Sequence, residues 1–366
     1  MYLQKGGIVL SLKIRLNRLQ QKLKENGLDA IMITNSINRS YISGFYGTAG
    51  YAIVMQNKAF LLTDFRYTQQ AANQAQYFEV IQLEGNPFEK INLLIKDYDV
   101  KTLGFEDKDI TYYQYAQFKE KINADQLIPV KDLILNLRKI KDETEIEKMR
   151  EAAKIADMAF SHILKMIKPG ITEIEIALEL EFFMKKKGAK SLSFDTIVVS
   201  GVRSSLPHGQ PTHKTIEVGD LVTMDFGCVV DGYCSDMTRT IGIGSLNQKQ
   251  KEIYHIVLEA QTKALALLRH GKTGKEIDKI ARDIITSYGY KNYFGHGLGH
   301  GVGCEIHEDP RLSPVGEESL KPGMVVTVEP GIYIKGFGGV RIEDMVVITD
   351  DGVDNFVSST KELLII

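Results

Sequence analysis

Two segments of the chain place acidic residues on either side of a predicted turn. Asp225 ends an apolar run, the chain turns at Asp231-Gly232, and Asp236 lies on the returning strand. A two-residue loop at this turn would pair Asp225 with Thr238 and leave Asp236 diagonal to Asp225, about 7 to 8 Å away at the backbone. Both carboxylates then lie on one face of the hairpin and can reach one site.

Glu329 and Glu343 flank a second glycine-broken turn, at residues 335–339, and we expect the same geometry there. Four carboxylates that face one another repel, and their pKa values shift strongly unless cations neutralise them. A metal centre is the simplest explanation for such a set. Four carboxylates exceed what one divalent ion needs, whereas two ions about 3.5 to 4 Å apart can share bridging carboxylates.

Histidines supply the remaining candidate ligands. Four of the eight histidines lie in proline- or glycine-rich contexts, namely His208, His296, His300 and His307. The segment FGHGLGHGVGCEIH (294–307) contains five glycines, which disfavour a helix, so its histidines are not a helical zinc pair. An oxygen-rich set with one imidazole favours Mn²⁺ as the first choice, with Co²⁺ or Zn²⁺ as further possibilities.

An internal repeat places these residues in two similar halves. PGITEIEIALELEFFMKKKG (169–188) matches HGKTGKEIDKIARDIITSYG (270–289), and VGDLVTMDFG (218–227) matches PGMVVTVEPG (322–331). In the second match Asp225 corresponds to Glu329, so a carboxylate ends the same strand twice. Two such halves pack about a pseudo-twofold axis and bury a sheet between them, which puts the metal pair on the seam.

The N-terminal part has a different pattern. A chain of 366 residues favours two domains. A predicted helix over 13–27 is followed by short apolar runs that alternate with helical segments, which indicates an α/β domain over 1–137. Asp142 and Glu145 have capping-box spacing at the start of a long amphipathic helix, so we place the second domain, of mixed α/β (α+β) type, at 138–366.

Composition limits the function further. Forty-five basic and 47 acidic residues give a formal charge of −2, and no basic cluster interleaved with aromatic residues suggests a nucleic-acid partner. No apolar run is long enough to span a membrane, and the run at 6–12 is too short for an export signal. Three cysteines without a CxxC pair favour a reducing compartment, so we expect a cytoplasmic protein.

At this point the motifs resemble a known family, the pita-bread metallopeptidases, and within it the branch of aminopeptidase P and prolidase. The resemblance covers nearly the whole chain and rests on MDFGCVVDGYCSDMTRT (224–240), GHGLGHGVGCEIHEDP (295–310), VEPGIYI (328–334) and GVRIED (339–344). It implies a creatinase-like N-terminal domain without catalytic residues and a pita-bread catalytic domain. It also implies five metal ligands: Asp225, Asp236, His300, Glu329 and Glu343.

The resemblance further implies the remaining site residues. Glu329 would handle the proton, His208 and His307 would bind substrate and stabilise the tetrahedral intermediate, and His296 would line the pocket of the leaving group. Arg341 would contact the proline side or the carboxylate of the substrate, and Tyr333 is a further substrate-binding candidate. These side chains form the second set of predicted site residues.

The implied activity is hydrolysis of the peptide bond before proline, by a hydroxide that bridges the two metals. We expect an Xaa-Pro aminopeptidase that acts on proline-containing peptides, with Xaa-Pro dipeptidase (prolidase) as the alternative and a homodimer as the assembly. A non-catalytic peptide- or protein-binding module of the same fold is a remote alternative, disfavoured because all five ligands are present. Metal-free amidine hydrolysis of the creatinase type is disfavoured for the same reason.

Simpler interpretations remain for single residues. His208 could merely follow a proline turn, His296 could be a satisfied loop histidine, and Arg341 could be a structural partner of a ligating carboxylate. The three cysteines, at 228, 234 and 304, are favoured as small buried hydrophobic residues.

Overall fold

The computed structural model describes residues 2–366, with side chains of the first helix from Leu10 onwards. The chain divides into two compact units, Met1–Arg138 and Lys139–Ile366. No helix in the described part of the chain is both long and apolar enough to cross a membrane. Most of the run at 6–12 lies outside the described side chains.

The first unit alternates helices and strands around one mixed sheet. Its elements are α1 (Tyr2–Glu25), β1 (Ala30–Ile33), α2 (Ser36–Ser43), β2 (Tyr51–Met55), β3 (Ala59–Thr63), α3 (Thr68–Gln74), β4 (Glu79–Gln82), α4 (Pro87–Asp97), β5 (Thr102–Glu106), α5 (Tyr112–Lys121), β6 (Gln126–Val130) and α6 (Leu133–Arg138). The strand order is β4-β3-β2-β1-β5-β6. The pairs β3–β4, β1–β5 and β5–β6 are parallel, as α/β connections require, and the β1–β2–β3 pairs are antiparallel.

The first helix differs from its prediction at one end. It covers Tyr2–Glu25 rather than 13–27, so its start was wrong by about three turns. The helix ends near Gly27, as predicted. Gly27 has a φ of +65°, and the Leu28 N–H donates to the Leu23 carbonyl, as is typical of a helix that ends at a glycine. Leu19 and Leu23 are fully buried, so one face of this helix packs into the core of the first unit.

The second unit contains both repeat halves. In chain order its elements are α7 (Glu143–Ile163), α8 (Glu173–Lys186), β7 (Ser191–Leu192), β8 (Ile197–Ser200), β9 (Leu221–Phe226), β10 (Cys228–Val230), β11 (Tyr233–Cys234), β12 (Met237–Gly242), α9 (Gln248–Leu267), α10 (Gly274–Ser287), β13 (Gly299–Gly301), β14 (Glu308–Leu312), β15 (Val325–Val328), β16 (Gly331–Ile334), β17 (Gly338–Arg341), β18 (Asp344–Ile348) and β19 (Val353–Asn355). Short 3₁₀ turns cover Gly201–Ser205 and Lys291–Tyr293.

The repeat is visible in the backbone. Thr172 caps α8 and Thr273 caps α10, each in a complete capping box and with a φ of −93°. The glycines two residues before each cap both have left-handed φ values, +96° and +85°. In the sheets, β9 lies between β8 and β12, and β15 lies between β13 and β18. The predicted pseudo-twofold organisation of mixed α/β elements is confirmed.

The two halves meet at the strand ends that carry the acidic residues. Glu343 N–H donates to the Thr238 carbonyl across the seam, and Thr240 Oγ1 donates to the Arg341 carbonyl. Buried Arg239 donates to the carbonyls of Thr238 and Glu343 and forms an ion pair with Asp344 at 2.8 Å. The seam therefore has its own hydrogen bonds, close to the predicted ligands.

Candidate metal centre

The hairpin that carries Asp225 has the predicted register. Asp225 pairs with Thr238, and the turn at Asp231-Gly232 has positive φ at both residues, as a two-residue hairpin loop requires. Asp236 then lies diagonal to Asp225, as predicted. Between these residues Gly227 has no room for a side chain, because a Cβ there would collide with the Ser235 carbonyl.

The second acidic pair has a different geometry from the first. Val328 pairs with Asp344 and Gly331 pairs with Arg341, so the same register places Glu329 directly opposite Glu343. The expectation of a matching diagonal pair was therefore wrong. Glu343 follows Glu329 by 14 residues, whereas Asp236 follows Asp225 by 11. The connection to the strand partner is only one residue longer in the second half, so Glu343 is itself the partner of Glu329, whereas Asp236 lies two residues before the partner of Asp225.

The four carboxylates nevertheless converge. Asp225, Asp236 and Glu343 are buried, and the Glu329 side chain is 17% exposed. Burial, with repulsion from Asp225 and Glu329, raises the pKa of Asp236. Burial and repulsion from Asp236, Glu329 and Asp225 likewise raise the pKa of Glu343. For Glu329, burial raises the pKa to about 8, against the attraction of Arg341.

His300 completes the cluster from the β13 strand. Its Nε2 lies 3.6 Å from Asp236 Oδ2 and 3.4 Å from Glu329 Oε1. Its Nδ1 lies 3.1 Å from the Gly301 carbonyl, which fixes the tautomer that leaves Nε2 as the acceptor. Burial lowers the pKa of His300 to about 4, so the ring is neutral and able to bind a metal near neutral pH.

The residues present fit divalent metal. Ligand atoms of Asp236, His300 and Glu343 lie within 4.8 Å of one another. Asp225 Oδ1 is buried and has no hydrogen-bond partner among the described residues, which is costly for a carboxylate unless a cation faces it. The donors are carboxylate oxygens and one imidazole nitrogen, and no thiol takes part, which suits catalytic rather than structural metal.

Two threonines that the motifs did not indicate as site residues orient the carboxylates. Thr238 Oγ1 donates to Glu343 Oε2 at 2.7 Å and accepts from Arg341 Nε. Thr327 Oγ1 accepts from the His300 backbone N–H and donates to Glu329 Oε1 at 3.2 Å. Thr327 was matched to Thr223 in the repeat, and its position two residues before Glu329 was the available signal.

Arg341 and Tyr333 lie beside the cluster, hydrogen-bonded to protein groups. Arg341 Nη2 forms an ion pair with Asp225 Oδ2 at 2.6 Å, and its Nη1 donates to the Tyr333 hydroxyl. The Tyr333 hydroxyl lies 2.9 Å from His296 Nε2, whose Nδ1 contacts the Gly297 carbonyl. Arg341 is buried, so its geometry favours the alternative of a structural partner to a ligating carboxylate.

The remaining predicted histidines lie beside the cluster. His208 and His307 are exposed, and the His307 ring contacts the His300 ring with centroids 4.4 Å apart. Burial and the nearby His208 lower the pKa of His307, and burial together with Arg341 lowers the pKa of His296 to about 4. The His296 and His307 rings are therefore neutral donors or acceptors at neutral pH.

The cysteines have the properties of small hydrophobic residues. Cys228 and Cys234 are buried, and burial raises their pKa values to about 11 and about 12. All three cysteines are free thiols.

Comparisons with known proteins show which family the chain is similar to. Residues 147–350 match the model of metallopeptidase family M24, and residues 15–140 match the creatinase/prolidase N-terminal domain. The chain is 49% identical to a solved Xaa-Pro dipeptidase from Bacillus anthracis, with a TM-score of 0.95 and coverage of 97% and 100% of the two chains. It is 43% identical to the Xaa-Pro dipeptidase of Pyrococcus furiosus, over 96% and 100% of the two chains.

A third relative bears on the aminopeptidase expectation. The X-Pro aminopeptidase of Thermotoga maritima has a TM-score of 0.89 and 38% identity, over 93% and 98% of the two chains. The two dipeptidases above have higher sequence identity to this chain, 49% and 43% against 38%, so the comparisons favour the dipeptidase alternative over the aminopeptidase expectation. Family membership itself rests on matches that span more than half of the chain, and the chain belongs to metallopeptidase family M24.

Proposed function

We propose that the protein is an Xaa-Pro dipeptidase, which hydrolyses the peptide bond before proline in a dipeptide. The observation that carries the proposal is the cluster of four carboxylates and His300 in a chain that is similar over its whole length to Xaa-Pro dipeptidases. The proposal replaces our first expectation of an aminopeptidase.

Asp225, Asp236, His300, Glu329 and Glu343 would hold two divalent ions. Bound divalent ions supply Lewis acidity, which polarises a carbonyl and makes water a better nucleophile near neutral pH. Asp236 and Glu343 would be central to this set, because burial and repulsion from other carboxylates of the cluster raise the pKa of each, and bound cations would relieve that repulsion. Mn²⁺ remains the proposed ion because oxygen donors dominate.

Glu329 is the proposed proton carrier. Its carboxylate would accept the proton of the attacking water and return it to the proline nitrogen as the peptide bond breaks. Thr327 fixes one carboxylate oxygen through a hydrogen bond of 3.2 Å. No covalent intermediate with the protein is expected.

The exposed histidines would bind the substrate. The His208 or His307 ring can donate a hydrogen bond to the carbonyl oxygen, where negative charge develops during the reaction. His296 is oriented by Tyr333 and would line the pocket of the leaving proline. Arg341 is proposed to act through Asp225 and Tyr333, because its donors are already paired with protein groups.

The length of the substrate provides the test. With the Mn²⁺-loaded protein, we expect an Xaa-Pro dipeptide to be cleaved to free proline with kcat/KM at least about tenfold above that of Xaa-Pro-Yaa. Chromatography of the released amino acids measures both reactions. Cleavage of the tripeptide alone, or equal rates for both peptides, would contradict the proposal and favour an aminopeptidase.

We also propose a cytoplasmic homodimer, on the cysteine usage and the family resemblance described above. Light scattering of the eluted protein tests the assembly, and a monomer at all concentrations would reject it.

A further inference from the structure

The loop that presents His307 is held by a buried ion pair outside the metal cluster. Lys141 Nζ lies 3.2 Å from Glu308 Oε2, and the two side chains are 1% and 6% exposed. Removing two charges from water is costly, and breaking such a pair by removing one partner leaves a buried charge without compensation. Glu308 directly follows His307 in the chain.

Glu308 folds back over its own loop. Its Oε1 accepts the backbone N–H of Glu305 at 3.1 Å, which closes the segment that contains His307. Gly303 makes room for this carboxylate, since a Cβ there would lie 2.6 Å from Glu308 Oε2. Gly303, the last glycine of the glycine-rich motif, therefore makes room for the Glu308 carboxylate.

The same loop is fixed to the metal cluster at its other end. The Gly303 carbonyl accepts from Cys234 N–H, two residues before Asp236, and the His307 ring packs against His300. The Lys141 backbone N–H donates to the Gly323 carbonyl, so the lysine approaches from a fixed backbone. Residues 303–308 are thus held at Gly303 and at Glu308, with His307 between these two points.

We propose that Lys141 is a positioning residue, which holds Glu308 and thereby sets the His307 ring against His300 for the substrate. The inference rests on the proposed function insofar as His307 binds substrate. A side chain displaced by about 1 Å can reduce the rate by about 10²-fold, so a pair distant from the reacting atoms can matter.

A double-mutant cycle tests the proposal. We expect Lys141→Met to lower kcat/KM for an Xaa-Pro dipeptide at least about tenfold, and to have less than about a twofold effect in a His307→Ala background. Bound metal should be unchanged in all four proteins. The matched control is Lys275→Met, because Lys275 pairs with Glu317 at an exposed position, and this variant should change kcat/KM less than about twofold. Equal losses in both backgrounds would overturn the proposal.

A second variant covers failure of Lys141→Met to fold. Lys141→Met with Glu308→Leu removes both charges and leaves neither unpaired. We expect it to fold and to show the same loss of kcat/KM, and wild-type kinetics would overturn the proposal.

A readout without turnover separates this inference from the proposed function. In metal-free protein, the rate at which diethyl pyrocarbonate modifies His307 should change at least about threefold in Lys141→Met, as measured by peptide mass spectrometry. Exposed His255 and His270 serve as internal references. An unchanged His307 rate overturns the inference, whereas a wild-type protein that cleaves no Xaa-Pro peptide rejects the proposed function alone.

Discussion

Arg341 contacts Asp225 at 2.6 Å, and this contact changes what its substitution should do. A lysine is a point charge and cannot bind Asp225, Tyr333 and the Pro207 carbonyl together. We expect Arg341→Lys to weaken metal binding at least about tenfold, as measured by titration with Mn²⁺. Exposed Arg311→Lys is the control. Unchanged metal affinity with a raised KM would instead support contact with the substrate carboxylate.

His300 is the cluster's imidazole and should be required for metal and for activity. We expect His300→Ala to lower kcat/KM at least about 10³-fold and to reduce bound metal by one ion per chain, because its Nε2 faces both Asp236 and Glu329. Metal analysis by mass spectrometry and steady-state kinetics measure the two effects. His255→Ala, at an exposed position of α9, should change neither. Retained activity in His300→Ala would refute the ligand assignment.

The hairpin β9–β12 positions two ligands, and its geometry depends on Gly227. A methyl group at this position meets the Ser235 carbonyl, which belongs to backbone and cannot move aside cheaply. We expect Gly227→Ala to destabilise the fold by roughly 2 to 4 kcal/mol and to lower metal affinity through Asp236, as shown by chemical denaturation and metal titration. Gly295→Ala is the matched control, because a Cβ there has no neighbour within 4 Å. Equal stability of the two variants would contradict this account.

The whole molecule should be sensitive to pH when metal is removed. The pKa of Glu329 is raised to about 8 in the folded chain, so the folded state binds a proton that the unfolded state has released. This contribution to stability is full below the unfolded pKa and is lost as pH rises through about 8. The raised pKa values of Asp236 and Glu343 act in the same direction.

The histidines of the site act in the opposite direction and limit the pH range of the test. The lowered pKa values of His296 and His300, about 4, favour the folded state above pH 6.5 and weaken it only as pH falls below that value. Between pH 6.5 and 8 the carboxylates therefore dominate. We expect the melting temperature of the metal-free protein to fall over this range, and Mn²⁺ to raise it more at pH 8 than at pH 6.5. A metal effect independent of pH would contradict this prediction.

The repeat and the register of the first hairpin could be predicted from the sequence. The Asp231-Gly232 turn favours a two-residue loop, which sets the pairing of the two strands. Because side chains alternate between the faces of a strand, this pairing shows that Asp225 and Asp236 share a face. The two capping boxes at Thr172 and Thr273 are likewise local, since each closes within four residues.

How the two halves meet depends on contacts between segments that are distant in the chain. Glu329 lies directly opposite Glu343 and not diagonal to it, which depends on the length of the turn that the strands adopt. Arg341 pairs with Asp225 from 116 residues away, and Lys141 reaches Glu308 from 167 residues away. Such contacts form only when distant segments pack together, and the spacing of residues along the chain does not show them. They determine which charged side chains are paired with protein groups and which are free to contact the substrate.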